Sequence, residues 1–113
     1  MDTFTKFSAN DIFHKLEEKA DQYAQDAARH ESLDAHTKPL LAKLTLEYMR
    51  EGMSRVEAET NAYADERYAE HVQGGVVAKE MSIRSKAAYQ NALRWADLKQ
   101  SEEASARTLV TRK

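Results

Sequence analysis

The chain has no cysteine, one proline and three glycines among its 113 residues. Without thiols it can form neither a disulfide nor a thiolate-held zinc site, which fits a reducing compartment. Long apolar runs are missing too. No segment approaches the roughly 18 apolar residues of a membrane span. The opening stretch MDTFTKFSANDIF lacks the apolar run of a signal peptide, so a cytoplasmic location is expected. Large apolar side chains are scarce: 42% of the chain is hydrophobic, much of it alanine, and mean hydropathy is -0.77. A domain of this size with so little to bury completes its core most readily as an elongated bundle or by self-association.

The signatures of catalysis are also missing. Gly74-Gly75 has neither a preceding strand nor the lysine pattern of a phosphate loop. Histidine occurs four times, at His14, His30, His36 and His71. His30-Glu31…Asp34…His36 has the look of a ligand cluster but not the HExxH spacing, and no Glu-x-x-His pair exists. Asp11 and His14 form a lone Asp-x-x-His pair. Solvated or helix-capping roles explain these histidines, and neither a metal nor a cofactor is expected. The 19 carboxylates guarantee close acidic pairs in any helical fold, so such pairs carry no catalytic information. Glu47/Glu51 and Glu66/Glu70 are like-charged at helical spacing and should face basic groups on another helix. The chain is therefore read as no enzyme.

What is present is helix. Ile12, Leu16, Ala20, Tyr23 and Ala27 recur at spacings of four and three, giving one apolar stripe on a helix from about 10 to 31. Ser8 or Asn10 offers it a cap. The stretch SLDAHTKP, residues 32–39, reads as a connection, with Pro39 suited to the first position of the next helix. Leu40, Leu41, Leu44, Tyr48 and Met49 form a second stripe, which Gly52 ends as a left-handed residue. Ser54 and Glu57 have capping-box spacing, with Met53 placed to staple onto Ala58. From there one helix is expected over about 55–107, bent or loosened at Gly74-Gly75, which cost roughly 2 kcal/mol in a helix interior. A tight hairpin at the glycines is the alternative. Within this stretch Val77, Met81, Arg84, Ala88, Asn91, Trp95 and Leu98 run with heptad-like spacing, a seam interrupted by Arg84 and Asn91. The neighbouring stripe, Ser82, Ser85, Tyr89, Ala92 and Ala96, is small enough for close helix approach. The ends, 1–9 and 109–113, are expected to be flexible, and 1–113 to form one domain.

Charge is uneven along the chain. Residues 1–53 hold seven basic and ten acidic side chains, residues 54–75 two and five, and residues 76–113 eight and four. The last third is thus net positive and the remainder negative. Helices attracting one another within a bundle account for this; a basic surface for phosphates is the sharper alternative. The cations Lys79, Arg84, Lys86, Arg94, Lys99 and Arg107 do not fall on one narrow face. The aromatic residues Tyr23, Tyr48, Tyr63, Tyr89 and Trp95 read as core or groove residues with their polar ends toward water.

From Leu44 onward the order of features resembles a class of small helical phage and prophage proteins. The matching residues are Tyr48-Met49-Arg50-Glu51-Gly52-Met53-Ser54, Glu57-Ala58-Glu59, Tyr68, Ala87-Ala88-Tyr89, Ala92-Leu93-Arg94-Trp95 and Glu102-Glu103-Ala104, within about residues 44–107. Members of that class are often encoded near recombination or strand-annealing genes, and their own activity is unassigned. The resemblance implies a bacterial-host cytoplasm and an accessory role around DNA recombination or replication. It transfers no catalytic residue. The chain departs from the class at Gly74-Gly75, where its members have charged residues.

These readings combine into an all-α protein: an elongated helical bundle with a long C-terminal helix of coiled-coil character. Its expected role is noncatalytic, by protein–protein contact, around DNA recombination or replication or as a modulator of a nuclease, recombinase or host defence factor. The expected interaction surface is Arg84, Tyr89, Arg94, Trp95 and Lys99. Expected partners are a second copy of the chain, as dimer or higher oligomer, and a phage or host protein, with no membrane. Direct DNA binding by the basic C-terminal helix, and a structural oligomer of scaffold or virion type, are the alternatives.

Overall fold

The computed structural model describes the backbone of residues 9–111 and the side chains of residues 10–106. These residues form four α-helices and no strand: α1 (Ala9–Ala35), α2 (Thr37–Arg50), α3 (Arg55–Ala64) and α4 (Glu66–Thr111). The all-α class and the long C-terminal helix follow from a sequence almost free of helix breakers. Helix α4 runs on to Thr111, past the end expected at 107. The expected flexible ends otherwise fall on residues 1–8 and 112–113, outside the described residues.

Two boundaries differ from expectation. Residues 32–35 are helical, so the expected connection shrinks to the single joint His36. Here Ser32 and Leu33 carbonyls, left over at the end of α1, find donors. The His36 N–H reaches both at 3.2 Å, the His36 Nδ1 donates to Ser32 at 2.6 Å, and Thr37 Oγ1 donates to Leu33 at 3.3 Å. Pro39 is the third residue of α2 rather than the first. Its missing N–H lies in the first turn, where none is needed, and it denies Ala35 the donor that would have continued α1.

The second correction is at Asp65. Instead of one helix from 55, the chain turns extended there (φ −67°, ψ 136°), separating α3 from α4. The Asp65 carboxylate caps the new helix by accepting the Arg67 N–H at 2.8 Å. It also accepts both the Arg67 guanidinium, at 3.0 Å through Nε and through Nη2, and the Tyr48 hydroxyl from α2 at 2.7 Å. Arg67 Nη1 in turn reaches Glu47 at 2.8 Å, the basic partner expected for that acid. The Asp65 carboxyl is accordingly held far below the ordinary carboxylate range, first by Arg67 and then by Tyr48. The Tyr48 phenol is pushed up, chiefly by its bond to Asp65.

The glycine stop and the Ser54 cap of the α2–α3 turn are as expected. Gly52 has φ +100°, its N–H bonds Met49 O at 3.0 Å, and the Met53 N–H bonds Tyr48 O at 3.3 Å. That pair of bonds is the Schellman pattern, which needs a left-handed residue. Ser54 Oγ then accepts the Glu57 N–H at 3.3 Å. Met53 Sδ lies 3.4 Å from the Asn61 amide of α3. Helix α4, by contrast, passes through Gly74-Gly75 unbroken.

The described residues pack as two compact units. One is Asp26–Ser82; the other combines the chain up to Gln25 with the chain from Ile83. In the first, α2 and α3 form a helical hairpin around Leu44, Ala58 and Ala62, all 0% exposed, and Ala78 of α4 is buried as well. In the second, Ile12 is buried, and the Tyr23 ring stacks on Tyr89 with centroids 6.2 Å apart.

Candidate functional site

Burial along α4 identifies its inward face. In the 26–82 unit His71, Gly75, Ala78 and Ser82 are buried or half-buried; in the other, Ser85, Tyr89, Ala92, Ala96 and Lys99 are half-buried. These residues step by four and three, the periodicity of a left-handed coiled coil. On α1 the less exposed residues Ile12, Leu16, Lys19 and Tyr23 step in the same way, as do Asp26, His30 and Leu33. The inward face of α4 is thus the stripe of small residues, opposite larger ones. A row of Ala and Ser lets two helix backbones approach closely, and the partner helix then supplies the bulk. Every buried side-chain nitrogen or oxygen among the described residues has a hydrogen-bond partner.

The larger stripe consequently faces outward. Val77 is 44% exposed, Met81 40%, Trp95 41% and Leu98 60%. Arg84 and Asn91 are exposed between them, and Ala88 is half-buried. Val72, Val76, Ile83 and Leu93 add further exposed apolar surface on α4.

The five expected surface residues divide accordingly. Arg84, Arg94 and Trp95 are on the outside. Tyr89 is not: it packs against Tyr23. Lys99 is also turned inward and half-buried, since it falls on the small-residue stripe. Trp95, which the sequence reads both as a core or groove residue and as part of the interaction surface, is 41% exposed.

Two clefts accompany these faces. One of about 530 Å³ lies beside Trp95, with Ala88 and Asn91 on α4 and Ile12, Lys15 and Lys19 on α1. Its α1 rim is of mixed charge, with Asp11 beside the two lysines. The other, of about 320 Å³, brings His30, Asp34 and Lys79 near Thr37 and His71. Thr37 gives its hydroxyl proton to Leu33 O, so its oxygen accepts from the His71 Nε2–H at 3.0 Å. His36, at the α1–α2 joint, does not line this cleft. Among the described residues no group of three or more His, Asp or Glu could hold a metal ion. No described helix is long and apolar enough to cross a membrane. The cations of α4 point in several directions, and Lys79 lines the second cleft.

No family model, curated protein or solved structure matches the chain.

Proposed function

We propose that this protein is a noncatalytic accessory factor that works by protein–protein contact through the outward face of α4. The observation that carries the reading is the inversion on that helix. Its small residues are spent on the internal packing, and Val77, Met81, Trp95 and Leu98 are each 40% exposed or more. Large apolar side chains repeated along one exposed face mark an interaction surface more often than a solvated one. Trp95, with Arg94 beside it, has the composition of an interface anchor. The resemblance to small phage proteins supplies the setting: DNA recombination or replication, or control of a nuclease, recombinase or host defence factor in a bacterial cytoplasm. The scattered cations of α4 and the inward Lys99 favour this reading over direct DNA binding.

The test is capture from bacterial lysate by the tagged protein, with and without nuclease, beside a Trp95→Ala variant of unchanged helix content. Proteins that survive nuclease and are lost from the variant support the reading. Partners that disappear with nuclease overturn it in favour of DNA binding. Recovery of the chain alone overturns it in favour of a structural oligomer.

A further inference from the structure

We propose that a cleft in the 26–82 unit binds a free aliphatic α-amino acid. It is the cleft of about 320 Å³ that His30, Asp34 and Lys79 share with Thr37 and His71. The outward residues that carry the contact reading, Val77, Met81, Trp95 and Leu98, do not line it, so this is a second site.

The order of groups along the cleft follows from one bond. The Thr37 hydroxyl oxygen accepts from His71 at 3.0 Å, which sets the start of α2 level with His71 of α4. His30 and Lys79 line the same cleft. Both can do so only if the two stretches run in opposite directions away from the Thr37–His71 pair. Asp34 then lies level with Gly75, and His30 level with Lys79. With a helical rise of about 1.5 Å per residue, Lys79 stands about 6 Å beyond Asp34 along the cleft. No ion pair joins this acid and this base, and neither has another ion-pair partner among the described residues. The half-buried His30 imidazole has no hydrogen-bond partner among them either.

Two further features suit the cleft to a ligand that carries both charges. Asp34 is the last residue but one of α1, where the helix end is itself partly negative and no basic residue stands in the last turn. An acid there works against the helix and attracts an ammonium. Gly75 lies in the interior of α4, where glycine is a poor helix former. An added Cβ would meet nothing within 4 Å, so packing inside the chain does not call for glycine. What Gly75 does is leave the cleft open beside Asp34. Leu33, Val72 and Val76 give the cleft apolar walls. An aliphatic amino acid answers all of these groups at once. Its ammonium meets Asp34, its carboxylate meets Lys79 with His30 beside it, and its side chain lies against Leu33, Val72 and Val76. The volume is at the small end of ligand pockets, which suits a molecule of this size. A ligand with a carboxylate alone would leave Asp34 against a like charge, and one with an amine alone would do the same to Lys79.

The experiment is an NMR titration of the full chain with L-leucine, followed on the backbone amides. Leucine should shift the amides around His30, Asp34, Gly75 and Lys79 saturably and leave those of α3 in place. Asp34→Asn and Lys79→Gln, both at exposed side chains, should each weaken binding about tenfold. Isocaproate, which lacks the ammonium, and isoamylamine, which lacks the carboxylate, should also bind about tenfold more weakly than leucine. Gly75→Leu fills the cleft and should abolish binding, whereas Gly74→Leu, which does not line it, should keep it. Circular dichroism shows whether both leucine variants hold their helix content; if Gly75→Leu does not, the two charge variants decide. The absence of a saturable shift, equal binding of isocaproate or isoamylamine, or indifference to both charge variants would each overturn the proposal. None of these results bears on capture through Trp95, so the two readings fail separately.

Discussion

The Tyr48 hydroxyl donates to Asp65 across 2.7 Å, so that α2 holds the carboxylate that starts α4. Asp65 ends one helix, begins the next and anchors the Arg67 guanidinium, which also reaches Glu47. Its side chain keeps only 8% of its exposure. Replacing it with alanine strips the α4 cap and leaves Tyr48 and Arg67 without their acceptor. Asp65→Ala should lower the melting temperature by roughly 5 °C, and Tyr48→Phe by less. A melting curve unchanged in Asp65→Ala would mean that α4 starts here for packing reasons alone.

The same network sets a pH dependence. Unfolded, Asp65 titrates near its ordinary 3.8; folded, it titrates well below that. A depressed folded pKa contributes stability that is complete above the unfolded value and is lost as pH falls toward the folded one. The melting-temperature advantage of wild type over Asp65→Asn should therefore be constant at neutral pH and shrink below about pH 4. The Tyr48 phenol has the opposite sign. Its folded pKa is raised above 10.0, so its contribution persists below that value and vanishes as pH climbs through the raised one. Ultraviolet titration should show one tyrosine ionising late, and that late step should move down in Asp65→Asn.

The glycines should respond in opposite directions. Gly52 has φ +100°, a conformation that costs an L side chain about 1 kcal/mol or more, so Gly52→Ala should destabilise by that amount. Gly74 and Gly75 sit inside α4 with nothing within 4 Å of an added Cβ. Alanine there should stabilise by about 0.8 kcal/mol at each site, through helix propensity. Urea unfolding checks all three. Loss of stability in Gly74→Ala or Gly75→Ala would show that the pair serves local opening of α4 or an approach by another chain.

Local signals were the ones legible in the sequence. Gly52, Ser54 and Glu57 define the α2–α3 turn because caps are satisfied by near neighbours. The apolar stripe of α1 is likewise visible from Ile12, Leu16 and Tyr23. Asp65 was not visible as a break, because two of the groups that stabilise it there, Tyr48 and Glu47 by way of Arg67, come from a different helix. Residues 32–35 look like a loop by composition, yet the His36 ring and Thr37 hydroxyl satisfy the carbonyls that end α1. The site was half legible. Both stripes of α4 have heptad spacing, and apolarity alone favours Val77, Met81 and Trp95 for the core. The large residues already on α1 decide the matter in favour of the small stripe, and that is a property of two segments together.

This inversion yields the sharpest stability test, because residue type and position pull in opposite directions. Ala78 is 2% exposed and Val77, its neighbour, is 44% exposed. By residue type alone, enlarging Ala78 to leucine should strengthen an alanine-rich core, and trimming Val77 should weaken it. By position, Ala78→Leu forces extra methylenes into a closed helix contact and should cost about 1–3 kcal/mol. Val77→Ala removes surface already largely in water and gains helix propensity, so it should change stability by less than about 0.5 kcal/mol. Unfolding should be measured at high dilution, so that no contact between molecules contributes. If Val77→Ala proves the more damaging of the two, the large stripe faces inward in solution, and the contact surface assigned to α4 must move to its opposite side.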